Sequence, residues 1–324
     1  MRWPAEWEPH QAVWIGFPGD VTEWPDRLLD AQREVAAFAN AVFDQGRGEH
    51  VILTCRTAAD GGIAKTLVDE RISIIVEPFG DIWLRDTGPI ITCENGTVFG
   101  NDFGFNGWGG KFDMPGDQDI GRRLAESRNI ETRQWDIVLE GGAIDGDGTG
   151  RLITTRQCLL NCNRNNDFTV GAAEALLQSA LGAETLCWLE DGLAADHTDG
   201  HVDNLARFVG NAKVAIPQAS EADDPNAAVF EDAAGRAAGS GLTVVRLPSV
   251  GRYLIDQEIA PASYMNFYVG NSVVAVPQYG MKNDQRAVEQ IGALFPDRRA
   301  VGVSSEALLR GGGSFHCISQ QIPA

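Results

Sequence analysis

The sequence predicts a mixed α/β fold, and three observations lead to that prediction. Short apolar or β-branched runs alternate with amphipathic stretches along the whole chain. Glycine, proline and aspartate separate these segments, and no low-complexity linker divides the chain. Single polar residues recur at roughly equal intervals among the apolar runs. With 324 residues, 44% of them hydrophobic, the chain can bury a sizeable core, and a disordered or fibrous protein is excluded.

Thirteen segments have the pattern of a strand or a helix. Runs rich in apolar and β-branched residues predict strands at 12–17, 51–54, 72–76, 88–92, 152–155, 212–216, 243–247 and 272–276. Apolar residues at helical spacing predict helices at 26–43, 120–127, 171–181, 227–238 and 283–294. The mixture of the two kinds along one chain is the basis for the α/β prediction.

Five polar residues stand at similar distances along the chain: Asp86, Glu140, His201, Asn266 and Cys317. The successive spacings are 54, 61, 65 and 51 residues, close to one fifth of the chain length. Such spacing predicts one supersecondary unit repeated about five times, with each unit offering a polar group to a shared axis. An irregular chain of two α/β domains is the competing interpretation, because the repeat is not accompanied by self-similar sequence.

The net charge of −19 comes from acidic residues spread along the whole chain. A surface of this kind repels nucleic acid and anionic membranes, because phosphate binding needs clustered cations. It provides solubility and can also attract a cationic substrate. No apolar run approaches the ~20 residues of a membrane span, and the first residues lack a basic stretch followed by an apolar one. The sequence therefore predicts a cytoplasmic protein with neither nucleic acid nor membrane as partner.

Cys317 is the candidate nucleophile. It follows three glycines, Gly312 among them, and glycine lets the backbone approach a ligand closely. A lone cysteine is more commonly a buried structural thiol. A reactive thiol needs a base or a cation to hold it as thiolate, and the other spaced motifs supply histidine and carboxylates. The six cysteines form neither a disulfide framework nor a paired zinc pattern.

The densest polar cluster is HTDGHVD at residues 197–203, with His197, Asp199, His201 and Asp203 at alternate positions. On a strand, all four side chains would share one face. Imidazole and carboxylate ligands would suit a transition metal. Alternatively, one histidine and one carboxylate would serve proton transfer and substrate binding. The glycine at position 200 is expected to turn the chain and separate the four groups.

The motifs together resemble the agmatine deiminases of the guanidine-modifying superfamily, which are related to the bacterial peptidylarginine deiminases. The resemblance runs from PAEWEPH at 4–10 to GGGSFHCISQQ at 311–321, nearly the whole chain. Four motifs match in order between these ends: WLRDTGP at 83–89, LEGG at 139–142, TDGHVDNLARF at 198–208 and PASYMNFY at 261–268. The resemblance implies a five-bladed α/β propeller, the pentein fold, of five ββαβ-like units around a central active site. Residues 1–324 would form one catalytic domain.

The resemblance also implies roles for five residues. Cys317 would attack the guanidinium carbon to form a covalent amidino-thioether. His201 would protonate the departing ammonia and later deprotonate the attacking water. Asp86 and Asp203 would grip the guanidinium nitrogens, and Glu140 would support proton transfer and bind a guanidinium nitrogen. Carboxylates suit this task because a guanidinium is a planar cation that must be held and aimed at the nucleophile. No metal or other cofactor is expected.

The expected function is the hydrolysis of agmatine, a small cationic guanidine, to N-carbamoylputrescine and ammonia. Trp83, Trp108 and Gly312 are expected beside the substrate, with Tyr264 as a further candidate wall and core packing as the alternative for the aromatics. His316 is expected to point away from the site. The rival functions are deimination of free or C-terminal peptidyl arginine, and metal-dependent hydrolysis by the cluster at 197–203. The oligomeric state is not readable from the sequence, and a homodimer stays open.

Overall fold

The computed structural model describes residues 1–324 and has a mixed α/β architecture. The helices are α1 Leu28–Phe43, α2 Ala58–Leu67, α3 Leu84–Thr87, α4 Gly107–Gly110, α5 Ile120–Ser127, α6 Arg156–Leu159, α7 Val170–Leu181, α8 Ala227–Gly239 and α9 Asp284–Gly292. The strands are β1 His10–Phe17, β2 His50–Cys55, β3 Ser73–Val76, β4 Ile90–Glu94, β5 Thr97–Gly104, β6 Glu131–Val138, β7 Ile144–Gly146, β8 Arg151–Thr155, β9 Thr185–Leu189, β10 Arg207–Gly210, β11 Lys213–Gln218, β12 Thr243–Pro248, β13 Leu254–Ile255, β14 Glu258–Ile259, β15 Tyr268–Val269, β16 Val273–Gln278, β17 Arg299–Ser304 and β18 Ser319–Pro323.

Five separate sheets share one connection pattern. Four of them have three strands, in the orders β4-β5-β6, β7-β8-β9, β10-β11-β12 and β15-β16-β17. In each of these the first two strands pair antiparallel, and the third strand follows a helix and runs parallel to the second. The fifth sheet has the order β18-β1-β2-β3, so that the last strand of the chain pairs antiparallel with the first. The hairpin β13-β14 stands apart from these five sheets.

Every strand and helix predicted from periodicity is present, with ends shifted by a few residues. The predicted strand at 88–92 begins at Ile90 in the structure, because Gly88 ends α3 and Pro89 has no N–H to donate to a ladder. The helix α2 was not predicted, although its N-terminus carries a local signal. Thr57 and Asp60 form a capping box there, each side chain accepting the other's backbone N–H. No helix in the structure has both the length and the apolar character needed to cross a bilayer.

The largest hydrophobic cluster holds the segment that carries Cys317. Phe38 of α1 stacks on Phe315, with ring centroids 4.6 Å apart and planes 7° from parallel. The edge of Phe38 also meets the ring of Tyr268 in β15, at 5.7 Å. All three rings are fully buried. These buried aromatic contacts hold Phe315 in place, and with it Cys317 two residues later.

Candidate active site

The five spaced polar residues lie in short turns, and each turn precedes the first strand of a sheet. In chain order these are Asp86 in α3 before β4, Glu140 before the turn Gly141–Ala143 and β7, His201 before the turn Val202–Asn204 and β10, Asn266 at the end of the turn Tyr264–Asn266 before β15, and Cys317 just before β18. The turns contact one another in chain order, and the backbone N–H of Arg85 closes the ring on the carbonyl of Cys317 at 2.9 Å.

Gly142 lies at the point where three of these turns meet. A Cβ atom built on it would stand 2.6 Å from Nδ1 of His201, 2.9 Å from Oδ1 of Asp86 and 3.0 Å from Oδ2 of Asp203. No side chain fits there, so the second glycine of the LEGG motif is required by close approach. Its backbone N–H donates to Oδ1 of Asp86 at 2.9 Å.

Cys317 is held by an amide and faces a carboxylate. Its Sγ accepts from Nδ2 of Asn266 at 3.0 Å and stands 3.7 Å from Oδ2 of Asp203. The Oδ1 of Asn266 in turn accepts the backbone N–H groups of His316 and Cys317, at 3.0 and 3.3 Å. Burial, followed by the negative charges of Asp203 and Asp86, raises the pKa of the Cys317 thiol well above its ordinary value. The resting side chain is therefore the neutral thiol at neutral pH.

His201 is the opposite case, a buried base that is charged. Burial alone lowers the pKa of its imidazole, but Asp86, then Cys158 and Glu140, outweigh this and raise the pKa well above its ordinary value. Nδ1 lies 3.7 Å from Oδ1 of Asp86, and the buried Nε2 has no hydrogen-bond partner. A protonated imidazole whose Nδ1 lies beside Asp86 is suited to donate a proton inside the site.

The two aspartates are supported from behind in different ways. The oxygens of Asp86 accept from the backbone of Gly142 and from Nε1 of Trp108, both at 2.9 Å. Burial, together with the charges of Asp203 and Glu140, raises the pKa of Asp86. The pKa of Asp203 is lowered in spite of burial, because it is hydrogen-bonded to His316 and feels the charges of His316 and His201. Its buried Oδ1 has no partner and can accept a hydrogen bond from a bound cation.

His316 does not point away from the site, and the sequence interpretation was wrong on this residue. Its Nδ1 is 2.8 Å from Oδ2 of Asp203, and its Nε2 is 2.9 Å from Oε2 of Glu6. Glu6 also pairs with Arg207 at 2.9 Å and with Arg85 at 3.5 Å, as expected for arginines paired with carboxylates. The imidazole thus bridges two carboxylates, holds Oδ2 of Asp203 and leaves Oδ1 for the substrate.

This geometry makes His316 a positioning residue, and its replacement has an expected signature. We expect His316→Phe to lower kcat/KM roughly 10- to 100-fold, the scale for losing a hydrogen bond to a charged group. Because His316 lowers the pKa of Asp203, its loss moves the acidic limb of the kcat/KM profile to higher pH. His316→Gln, which can still donate to Asp203, recovers part of the activity. An acidic limb at the same pH in wild type and His316→Phe would contradict this role.

Glu140 lies behind His201 and is already paired with a guanidinium, that of Arg164. Its Oε1 is 2.6 Å from Nε of Arg164, and both side chains are almost completely buried. Glu140, Cys158 and His201 each place one ligand-type atom within 4.8 Å of the others, the one group in the structure with this property. Because the Arg164 cation already offsets the charge of Glu140, the group fits an electrostatic support for the imidazole better than a divalent metal site.

The metal cluster considered at residues 197–203 is not assembled. Positive φ angles at Asp199 and Gly200 turn the chain there, as the glycine had suggested. The Asp199 carboxylate pairs with Lys111 and Arg164, whereas Asp203 pairs with His316 on the other side of the turn. The ring of His197 lies against that of Phe112, with centroids 6.1 Å apart. The four side chains therefore share no ligand position.

A cleft with about 420 Å³ of empty space reaches Cys317 and Asp86. Trp83, Trp108 and Gly312 line it, which is where the sequence interpretation expected them. Tyr264 does not line it: the ring is buried in another hydrophobic cluster, and its hydroxyl donates to Asp284 at 2.6 Å.

Five further side chains of the cleft wall were missed by sequence reasoning: Glu23, Asp81 and Phe112, with His197 and Thr198 as wall residues. Asp81 stands two positions before Trp83, the first residue of the WLRDTGP motif, so closeness to that motif was a usable signal for it. Glu23 comes from a segment with no polar pattern, and nothing in the sequence connects it to the other motifs.

The fold and the buried site agree with the class of enzyme that comparison with known proteins identifies. It is the class of hydrolases acting on carbon–nitrogen bonds in linear amidines. The chain belongs to the Porphyromonas-type peptidyl-arginine deiminase family, whose model matches residues 2–323.

Individual relatives agree with this membership. The chain is 36% identical to the agmatine deiminase of Stutzerimonas stutzeri, over 99% of this chain and 95% of that one. It is similar to the structure of the agmatine deiminase of Enterococcus faecalis, with TM-score 0.92, 31% identity and coverage of 99% and 95% of the two chains. A structure of DDAH from Pseudomonas aeruginosa shares the fold alone, with TM-score 0.54 and 14% identity over 97% of this chain and all of that one.

Proposed function

We propose that this protein hydrolyses agmatine to N-carbamoylputrescine and ammonia through a covalent intermediate on Cys317. The single observation that carries the proposal is the convergence of a thiol, an imidazole and two carboxylates around Gly142 and Cys317, with the thiol and Asp86 lining one cleft. The agmatine deiminases named above support the choice of substrate. The groups have the chemistry that a guanidinium requires: carboxylates for its N–H groups, a nucleophile for its carbon and an acid for its leaving nitrogen.

The first half of the proposed reaction forms the intermediate. The guanidinium binds between Asp86 and Asp203, and its positive charge offsets the two negative charges that hold the Cys317 thiol protonated. The thiol releases its proton to solvent, and the resulting thiolate attacks the guanidinium carbon. His201 gives its proton to the departing nitrogen, the carbon–nitrogen bond breaks and ammonia leaves. The product of this half is an amidino-thioether on Cys317.

The second half returns the enzyme. Water attacks the amidino carbon, and His201, now neutral, accepts a proton from it. The carbon–sulfur bond breaks, the second proton of the water passes from the forming carbonyl to Sγ, which returns to the neutral thiol, and the ureido product is released. Glu140, already paired with Arg164, supports the imidazole in both of its charge states. Each step uses side chains of this protein and water alone.

We further propose that the five sheets are blades of a five-bladed α/β propeller and that residues 1–324 are one catalytic domain. The shared connection pattern of the sheets supports this, as does the ring of turns that carries the five polar residues. The pairing of β18 with β1 supports a single domain, because the first and last segments of the chain then belong to one sheet.

The principal rival is deimination of free or C-terminal peptidyl arginine, which the family name favours. Arginine differs from agmatine by an α-carboxylate, and the cleft wall includes Glu23, Asp81 and Asp86 but neither lysine nor arginine. An unpaired carboxylate placed there costs several kcal/mol, so we expect at least ~100-fold discrimination in favour of agmatine. The test compares kcat/KM for agmatine, free arginine and a peptide with C-terminal arginine by ammonia release. Equal values, or a preference for either arginine form, would refute the agmatine assignment and leave the deiminase chemistry standing.

A further inference from the structure

The cleft wall contains three carboxylates, and two of them are already engaged by protein groups. Asp86 accepts from Gly142 and Trp108 and lies beside the nucleophile. Asp81 is almost completely buried; one oxygen accepts from the backbone of Ile82 at 2.7 Å and the other from Nε1 of Trp83 at 2.8 Å. Glu23 makes no hydrogen bond or ion pair within the protein and is only half-buried. It is the carboxylate of the wall with both oxygens available to a ligand.

Glu23 is carried by an anchored neighbour and is not on a freely moving loop. Trp24 is buried; its Nε1 donates to the carbonyl of Leu308 at 3.4 Å, and its ring lies 6.4 Å from that of Trp83. A Cβ on Gly311, itself in the cleft wall, would stand 2.4 Å from the same indole. Trp24 is thus packed against Trp83 and Gly311, two residues in the wall of the cleft that reaches Cys317.

The cations near Glu23 and the cleft opening are engaged elsewhere. Arg56 pairs with Asp20 at 2.9 Å. Lys111 is bound to Asp199 at 2.6 Å and to the carbonyl of His197 at 2.8 Å. Burial and then the charge of Asp20 raise the pKa of Glu23, and the charge of Arg56 opposes this shift. The local field favours a positive group and opposes a negative one.

We propose that Glu23 binds the distal ammonium group of the substrate and so selects guanidines that carry a second cation at the far end of an aliphatic chain. This inference rests on the proposed function, since it assigns the other end of the same substrate. Asp86 and Asp203 hold the guanidinium, Trp83 and Trp108 enclose the methylene chain, and Glu23 reads the terminal group. A substrate that ends in a carboxylate meets Glu23 with no cation to pair with it.

Three guanidines that differ only at the far end test this assignment: agmatine with an ammonium, pentylguanidine with a methyl group and 4-guanidinobutyrate with a carboxylate. We expect Glu23→Gln to lower the ratio of kcat/KM for agmatine to that for pentylguanidine about tenfold or more, mainly through KM for agmatine. Glu23→Lys lowers this ratio further and raises kcat/KM for 4-guanidinobutyrate relative to wild type. Glu131→Gln, which removes one charge from an exposed position of β6, is the matched control. It leaves the agmatine-to-pentylguanidine ratio and kcat/KM for 4-guanidinobutyrate at their wild-type values.

Two results would overturn the assignment. An equal loss of kcat/KM on agmatine and pentylguanidine in Glu23→Gln would make Glu23 a structural residue. Wild-type kcat/KM on both substrates would locate the ammonium elsewhere. Failure of the proposed function looks different, because wild-type protein would then release no ammonia from agmatine. In that event calorimetric titration of agmatine into wild type and Glu23→Gln decides on the contact: weaker binding by the variant supports it, and equal affinity overturns it.

Discussion

The Cys317→Ser protein should release no measurable ammonia from agmatine and should keep the wild-type fold. Serine is nearly isosteric, and Asn266 can still donate to its hydroxyl, so the local structure is maintained. A hydroxyl is a much weaker nucleophile than a thiolate, and a neighbouring cationic guanidinium cannot ionise it. We expect a loss of roughly 10⁴-fold or more in kcat, the scale for removing a nucleophile. Ammonia release measures the activity, and circular dichroism with thermal unfolding measures the fold.

The matched control is Cys162→Ser, because Cys162 is an exposed thiol whereas Cys317 is buried. It should retain wild-type kcat/KM. Acid-quenched wild-type enzyme, digested and analysed by mass spectrometry, should carry the amidino adduct on the peptide that contains Cys317. An adduct on Cys158 or Cys162, or full activity in Cys317→Ser, would remove Cys317 from the mechanism.

Asp86→Asn and Asp203→Asn should each lower kcat/KM roughly 30- to 5,000-fold, or about 2–5 kcal/mol of transition-state stabilisation. Each substitution leaves a guanidinium beside a neutral amide in a buried site, where an unpaired charge is expensive. The Asp86 substitution has a second consequence, since this carboxylate is the largest contributor that raises the pKa of His201. Loss of this carboxylate lowers the pKa of His201. Less of the protonated imidazole is then present to donate a proton to the departing nitrogen.

The control for both is Asp136→Asn, which removes one negative charge from an exposed residue of β6. Its kcat/KM should equal that of wild type, so that a general change in the field of the protein is excluded. Losses below about threefold at both Asp86 and Asp203 would mean that these carboxylates are structural. Pre-steady-state ammonia release separates a slower first half of the reaction from a slower second half.

Periodicity located the segments that are buried on one or both faces. The helix α5 at Ile120–Ser127 was predicted to the residue, because its apolar side chains recur at helical spacing. The strands β6 and β17 were not predicted. Both lie at the edge of a three-stranded sheet and most of their residues are partly exposed; β6 has no run of apolar side chains, and a glycine interrupts that of β17. An edge strand is defined by its partner, which sequence periodicity does not reveal.

The residue spacing identified the polar group of each unit but not how the groups are used. Asn266 emerged from spacing alone, and it is the amide that holds Cys317 and the preceding backbone. His316 was misjudged because alternation on a strand was assumed, whereas residues 315–318 form a turn in which neighbouring side chains can face the same site.

The sequence by itself determined the α/β class and the five-part spacing, and its resemblance to a known family named the candidate nucleophile, imidazole and carboxylates. These follow from local patterns and short motifs, in which residue type and spacing carry the information. Only the tertiary structure decided that His316 joins Glu6 to Asp203, that Glu140 is neutralised by Arg164, and that Glu23 shares a cleft with Cys317. These groups are separated by between 24 and 310 positions in the chain. The physical reason is that charge pairing and desolvation act over a few ångströms of space, so they depend on which turns the packed sheets bring together and not on distance along the chain.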